Sequence, residues 1–379
     1  MGLQGSIARP VSPSQTLQLE NIVAKNIIIT VIMSMDIIFG IILIAIGAFS
    51  AGSFAVPFGK IKGWQWETYW MVFSFAAYIL FPLIFCLIFS PGFVSIIKST
   101  PSETLLLVFI LGAVYGIANF SFGLALRYLG LSLGYALSLG LMMAIGTLIP
   151  PLIDGRLQVM LGSAGGNLLI AGIIVAAIGI AFSSWAGILK DKTLSQDKKL
   201  ESVSEFHLVK GLSAALFVGL TGSALSLGFE QGLPISELAE MSGVSPLFTM
   251  MPVYLVILSG TFISSIIWCF ILGIRNKSIK NYIQASTKRV LFLNYSLGIL
   301  AGLLWFSQFI LYGMGRSKMG PFTFTSWGIL MALIIVSATI WGLIRKEWKG
   351  VSKKIYILLF LSLTIIIVAA FMIGISGSV

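Results

Sequence analysis

Residues 103–126 read ETLLLVFILGAVYGIANFSFGLAL, twenty-four residues whose one charged side chain stands at the first position. That exceeds the roughly 20 apolar residues an α-helix needs to cross a bilayer. Stretches of similar length recur on both sides, at 36–57, 67–90, 131–153, 167–189, 209–231, 247–273, 290–314, 321–344 and 354–376. Hydrophobic residues make up 58% of the chain, charged residues 10%, and the mean hydropathy is +1.02. Soluble domains carry about 25% charged residues. The expected fold class is therefore an all-α integral membrane protein with ten transmembrane helices.

The net charge of +11 raises nucleic acid as a partner, but the placement of the basic residues argues for a lipid bilayer instead. With the first loop taken as cytoplasmic, the odd-numbered loops hold 18 Lys and Arg and the even-numbered loops hold 4. This asymmetry orients the helices, and both termini are expected outside the cytoplasm. Cys86 and Cys269 fall within apolar spans, so no disulfide framework is implied. His207 is the only histidine and has no cysteine cluster near it, so neither a metal site nor a cofactor is expected.

Residues 1–34 are polar and unlike the rest, without the pattern of a secretory signal. Read through, they would give one helix of about 30 residues with Asp36 near its middle, a costly place for a lone carboxylate. A start at Met33 or Met35 instead sets Asp36 at headgroup level, so 1–34 reads either as a tail or as a mis-called start.

Five spans (35–189) precede the charged linker 190–208 and five (209–379) follow it. An odd number per half inserts the second half upside down, the inverted-repeat plan of secondary transporters. Sliding 111–130 by 189 positions sets Asn119 over Gln308, Phe120 over Phe309 and Arg127 over Arg316. Gly112–Gly116, Gly130–Gly134 and Gly162–Gly166 have the spacing that lets helix backbones approach closely. Pro57, Pro82, Pro150 and Pro151 mark kinks or helix ends.

Polar residues inside the bilayer are the candidates for function. Tyr115, Asn119 and Phe122 share one helical face, as do Trp305, Gln308 and Tyr312. Amides donate to and accept from hydroxyls, and aromatic faces cover the apolar side of a ring; together they suit a sugar. Interhelical hydrogen bonding with aromatic packing is the plain alternative. Glu67, in GWQWETYW, is a candidate proton carrier, since a desolvated carboxylate can load and release a proton. It could equally be a first-turn carboxylate favoured by the helix dipole, within a tryptophan belt. Glu230 is a second coupling candidate, while Glu103, Glu237 and Glu240 read as helix-start or outer-loop residues.

In order and spacing, GAFSAGSFAVPFGKIKGWQWETYW (47–70), YGIANFSFGLALRYLGLSLG (115–134), WFSQFILYGMG (305–315) and TSWGILM (325–331) resemble the L-rhamnose–proton symporter family of the drug/metabolite transporter superfamily. The resemblance runs from about residue 40 to the C-terminus. It implies ten helices, a bacterial inner-membrane location and uptake of a 6-deoxyhexose driven by protons. Glu67, Asn119, Arg127, Trp305, Gln308, Tyr312, Ser326 and Trp327 stand where the family pattern has them. Gly59 and Gly63 replace lysines of that pattern, Tyr115 and Ala118 a tryptophan and a glycine, Phe122 a tyrosine; a tryptophan after Tyr312 is lost. The loss of a hydroxyl at Phe122 makes a changed sugar preference an expectation.

The expected function is import of L-rhamnose or a related monosaccharide in symport with a proton. Tyr115, Asn119, Phe122, Trp305, Gln308, Tyr312, Ser326 and Trp327 would hold the sugar, Glu67 and Glu230 would couple the proton, and Arg127 would anchor or gate. A transporter of another small solute and a sodium-coupled sugar permease are the alternatives. With no HExxH motif or clustered carboxylates, an enzyme is not expected.

Overall fold

The structure, a computed structural model, describes residues 35–36, 38–153, 162–193, 207–318 and 326–375. Residues 1–34 and most of the linker at 194–206 lie outside these, so the expectations placed on them are not addressed by it. The described residues form helices joined by turns and short loops and include no strand. Eight helices among them are long and apolar enough to cross a membrane, and Ile329–Ile344 is a shorter apolar helix. In lipid, helices satisfy their own backbone groups, which is why an apolar chain of this composition adopts them throughout.

The principal helices are α1 (38–53), α2 (Trp66–Phe89), α3 (102–129), α4 (131–153), α5 (Ala164–Thr193), α6 (Leu208–Gly222 and Ala224–Gln231), α7 (Met251–Arg275), α8 (Lys288–Lys318), α9 (Ser326–Ile344) and α10 (Lys353–Ile375). α3 and α4 are separated only by Gly130, whose φ of 82° and ψ of 178° no helix accommodates. That φ favours glycine, and the break frees the first amides of α4 to bond elsewhere. In α2 a π-helical turn covers Ala76–Leu80. Pro82 follows it and has no N–H for the carbonyl of Tyr78, so a wider turn absorbs the missing bond.

Glycine sets the closest helix pairs. A Cβ at Gly112 would collide with the Ile257 carbonyl and one at Gly260 with the Phe109 carbonyl, so α3 and α7 touch backbone to backbone. Thr261 Oγ1 donates to Gly112 O (3.0 Å) and Ser264 Oγ to Ala113 O (2.6 Å) across the same seam. Gly298 and Gly302 give α8 a matching approach to Val72 and Ala76 of α2. α4 runs along α6, Gly219 against Leu141, and α1 along α9, Gly52 against Ser337. α5 lies against α10.

Gly112–Gly116 thus serves as a helix seam. Gly130–Gly134 is instead a break and a contact with Leu126 of the adjoining helix, and Gly166 lies in the first turn of α5, its N–H bonded to Ser163 Oγ (3.0 Å). Replacing Gly112 by leucine is expected to destabilise the bundle by about 2 kcal/mol or more, because the obstruction is backbone. A several-degree fall in the unfolding midpoint of the detergent-solubilised protein checks this; an unchanged midpoint contradicts the seam.

Candidate substrate site

A cavity opens between α1, α3, α4, α6, α8 and α9. Six of the residues singled out from sequence line it: Tyr115, Asn119 and Phe122 from α3, Trp305 and Gln308 from α8, and Trp327 from α9. The two amides 189 positions apart face one space. Asn119 is buried, its Nδ2 donating to Tyr115 Oη at 3.4 Å, and its Oδ1 has no hydrogen-bond partner among the described residues. Gln308 is buried too, its Nε2 donating to the Trp305 carbonyl at 2.8 Å. A buried acceptor without a donor costs about 1–3 kcal/mol, so Asn119 is placed to bond a hydroxyl entering the cavity.

Aromatic rings enclose the amides. Trp305 meets Phe309 edge-on at 5.0 Å and Tyr78 at 5.1 Å, and Phe122 meets Tyr135 at 5.0 Å. Tyr135 of α4 was not singled out from sequence; its Oη donates to Ala51 O (2.9 Å), fixing the ring in the wall. As the tyrosine of the apolar stretch 131–153 it was the available signal. Phe54, whose ring stacks on Phe73 at 5.1 Å, is a second lining residue the sequence reading passed over.

Tyr312 and Ser326 do not line the cavity. Tyr312 packs edge-on against Trp327 at 5.8 Å, behind the wall, and Ser326 is buried at the start of α9. Glu230 is exposed at the end of α6, away from the cavity.

Towards the lysine-rich face a vestibule follows, lined among others by Gly59, Trp66, Trp70, Arg127, Gly130, Arg345 and Glu347. Phe54, Trp70 and Phe122 stand between the two spaces, with ring centroids 6.4 Å apart from Phe54 to each of the others. Arg127 borders both this vestibule and an adjoining pocket that contains Glu67. Glu67 is only 3% exposed; its Oε1 accepts from Ser278 Oγ (2.5 Å) and Asn276 Nδ2 (3.1 Å), which follow α7. It stands in the first turn of α2, as the helix-dipole reading expects, and is in addition held by neutral donors from the other half of the chain. On the opposite face Asp36 pairs with Lys318 at 3.2 Å, both partly exposed. Such a pair contributes at most about 1 kcal/mol. Among the described residues no cluster of His, Cys, Asp or Glu could hold a metal.

A bundle of apolar helices closed around amides and aromatic rings, with buried carboxylates at one end, defines a multi-pass membrane protein with an interior cavity. The family model described as L-rhamnose-proton symport protein (RhaT) matches residues 33–378. Proteins named L-rhamnose-proton symporter from Yersinia pestis (strain Pestoides F) and Cronobacter sakazakii (strain ATCC BAA-894) are each 35% identical over 345 residues, covering 90% of this chain and 98% of theirs. The chain belongs to the L-rhamnose-proton symport family, whose members are transporters and not enzymes. No solved structure matches it.

Proposed function

We propose that this chain is a secondary active transporter that imports L-rhamnose or a related monosaccharide together with a proton. One observation carries the reading: Asn119 and Gln308, equivalent under the 189-residue shift, meet in a single aromatic cavity with an acceptor left unpaired. Family membership supports the same solute and the same ion. Asn119 and Gln308 would bond the hydroxyls. Tyr115, Phe122, Trp305 and Trp327 would cover the ring, while Tyr312 and Ser326 would act from behind the wall.

The plan of two inverted five-helix repeats (35–189 and 209–379) joined by the linker 190–208 is part of this proposal. The division of 102–153 at Gly130 and the apolar helix within Ser326–Ile344 support ten crossings in place of eight. Packing supports the inversion. The α2–α8 pair exchanges with α7–α3 under it, and α1–α9 with α6–α4. Shifting the Val72–Gly298 contact by 189 gives Thr261 and Phe109, on the seam where Gly260 meets the Phe109 carbonyl. The basic loops then face the cytoplasm and both termini the periplasm of a bacterial inner membrane. Glu67, buried beside the vestibule, would carry the proton, and Arg127 at the vestibule rim would gate it. Glu230, exposed on the other face, would serve at most as an outer relay.

Counterflow tests the solute. Proteoliposomes preloaded with unlabelled L-rhamnose are expected to take up labelled L-rhamnose transiently with no ion gradient. Absence of uptake, with uptake of another solute, would favour the drug/metabolite-type alternative; dependence on sodium would favour the sodium-coupled one.

A further inference from the structure

Glu347 follows α9 in the run IRKEWKG, where lysines and an arginine conceal it, yet it is only 2% exposed. Its Oε1 accepts from Leu131 N–H (2.9 Å) and its Oε2 from Ser132 N–H (3.2 Å), the two amides that the Gly130 break frees at the start of α4. A carboxylate there meets both unsatisfied donors and the positive end of a helix dipole. Lys190, at the lysine-rich end of α5 and fully buried, lies with Nζ 4.8 Å from the Trp348 ring centroid, next in sequence to Glu347.

The local backbone is built to deliver this side chain. Glu347 N–H bonds back to Gly342 O (2.9 Å) and Lys346 N–H to Leu343 O (3.0 Å), closing α9 with a cap whose left-handed position is occupied by Lys346 at φ 61°. Glycine usually fills that position, and a lysine there carries strain. Gly342 is equally constrained, since a Cβ would overlap Ser132 Oγ and come within 2.9 Å of Glu347 Oε2. α7 ends the same way. Lys277 stands at φ 54°, Ser278 N–H bonds Gly273 O (2.9 Å), and Ser278 is the residue that reaches Glu67. Each cap belongs to the second half of the chain and holds a partner in the first.

We propose that Glu347, with Lys190, is a latch between the two halves on the lysine-rich face, closed while its carboxylate is ionised and released when a proton neutralises it. The latch rests on the transporter reading for its purpose, but its chemistry stands on the geometry. It ties the hinge between α3, which carries Tyr115, Asn119 and Phe122, and α4, which carries Tyr135, to the connection behind α9, which carries Trp327. Glu347 also lines the vestibule, so the proton comes from vestibule water and returns to it. Among the described residues, Lys190 of α5 and Arg345 of its own connection act on its carboxyl, and Arg127 at the end of α3 and Tyr69 of α2 line the same vestibule. Burial pushes the Glu347 carboxyl above its ordinary range, while the Lys190 charge and the two amides pull it back. Release therefore sets in as pH falls, and removing Lys190 should make it set in at higher pH.

Amide hydrogen exchange of Leu131 and Ser132, expressed as protection relative to an unstructured peptide at the same pH, reads the latch without any sugar. In the full chain, protection is expected to fall roughly tenfold per pH unit as pH drops towards the midpoint, because the protonated fraction rises by that factor. Glu347→Gln should show low protection with no such slope. Lys190→Met, which keeps the carboxylate, should move the midpoint up. The pH profile of rhamnose counterflow should carry the same midpoint and lose it in Glu347→Gln. Protection independent of pH in the parent, an unmoved midpoint in Lys190→Met, or an unchanged counterflow profile in Glu347→Gln would each overturn the latch. A parent that moves no rhamnose yet shows the pH-dependent protection would sink the sugar and leave the latch standing.

Discussion

Asn119→Leu is expected to raise the L-rhamnose concentration needed for half-maximal counterflow by roughly 10- to 100-fold, with little change in how much protein folds. The substitution keeps the side chain's bulk, so the wall is preserved, but a sugar hydroxyl brought into the cavity then finds no partner. Leaving one buried polar group unpaired costs about 1–3 kcal/mol, and 1.4 kcal/mol is tenfold in affinity. Gln308→Leu should behave alike, and the double variant should cost less than the sum if both amides bond the same ring. Ser121→Ala supplies the comparison: it lies on α3 but off the cavity, bonded to Ile117 O at 3.0 Å, and should change the value by less than about twofold. An Asn119→Leu protein with parental half-saturation would remove the cavity from the account.

Glu67→Gln is expected to abolish accumulation of sugar against its gradient while leaving counterflow within about threefold of the parent. The amide retains a carbonyl oxygen for Ser278 Oγ and Asn276 Nδ2, so the tie to the end of α7 survives while the proposed proton site is lost. Coupling requires that sugar and proton bias the same states with different affinities. Without the proton, the carrier still exchanges but has no means to concentrate. Persistent accumulation in Glu67→Gln would move the coupling site elsewhere, and Glu347 would be the acid to test next.

Much of the cavity was legible beforehand because helical periodicity governs which side chains share a face. Asn119 with Tyr115, and Gln308 with Trp305, follow from spacing, and the 189-residue shift related the two faces before any contact was known. Tyr135 and Phe54 were missed because their roles depend on which helices meet, and a helix pair is chosen by shape at glycines such as Gly112 and Gly260. Tyr312 differs in the other direction: it shares a face with Gln308 by spacing, yet its ring packs on Trp327 and does not line the cavity. Glu347 was hidden for another reason. In a loop rich in lysine a single carboxylate reads as one more solvated charge, and only the break at Gly130, 217 positions away, gives it donors to bond. The break was itself concealed, since a glycine within an apolar run usually signals packing.

The central claim is that a proton gradient drives sugar through this cavity, and uptake of labelled L-rhamnose into proteoliposomes under an imposed inward proton gradient tests it most directly. The account predicts internal sugar rising above the external concentration and then collapsing when a protonophore is added. Equilibration to the external concentration and no further, with and without the gradient, would contradict it.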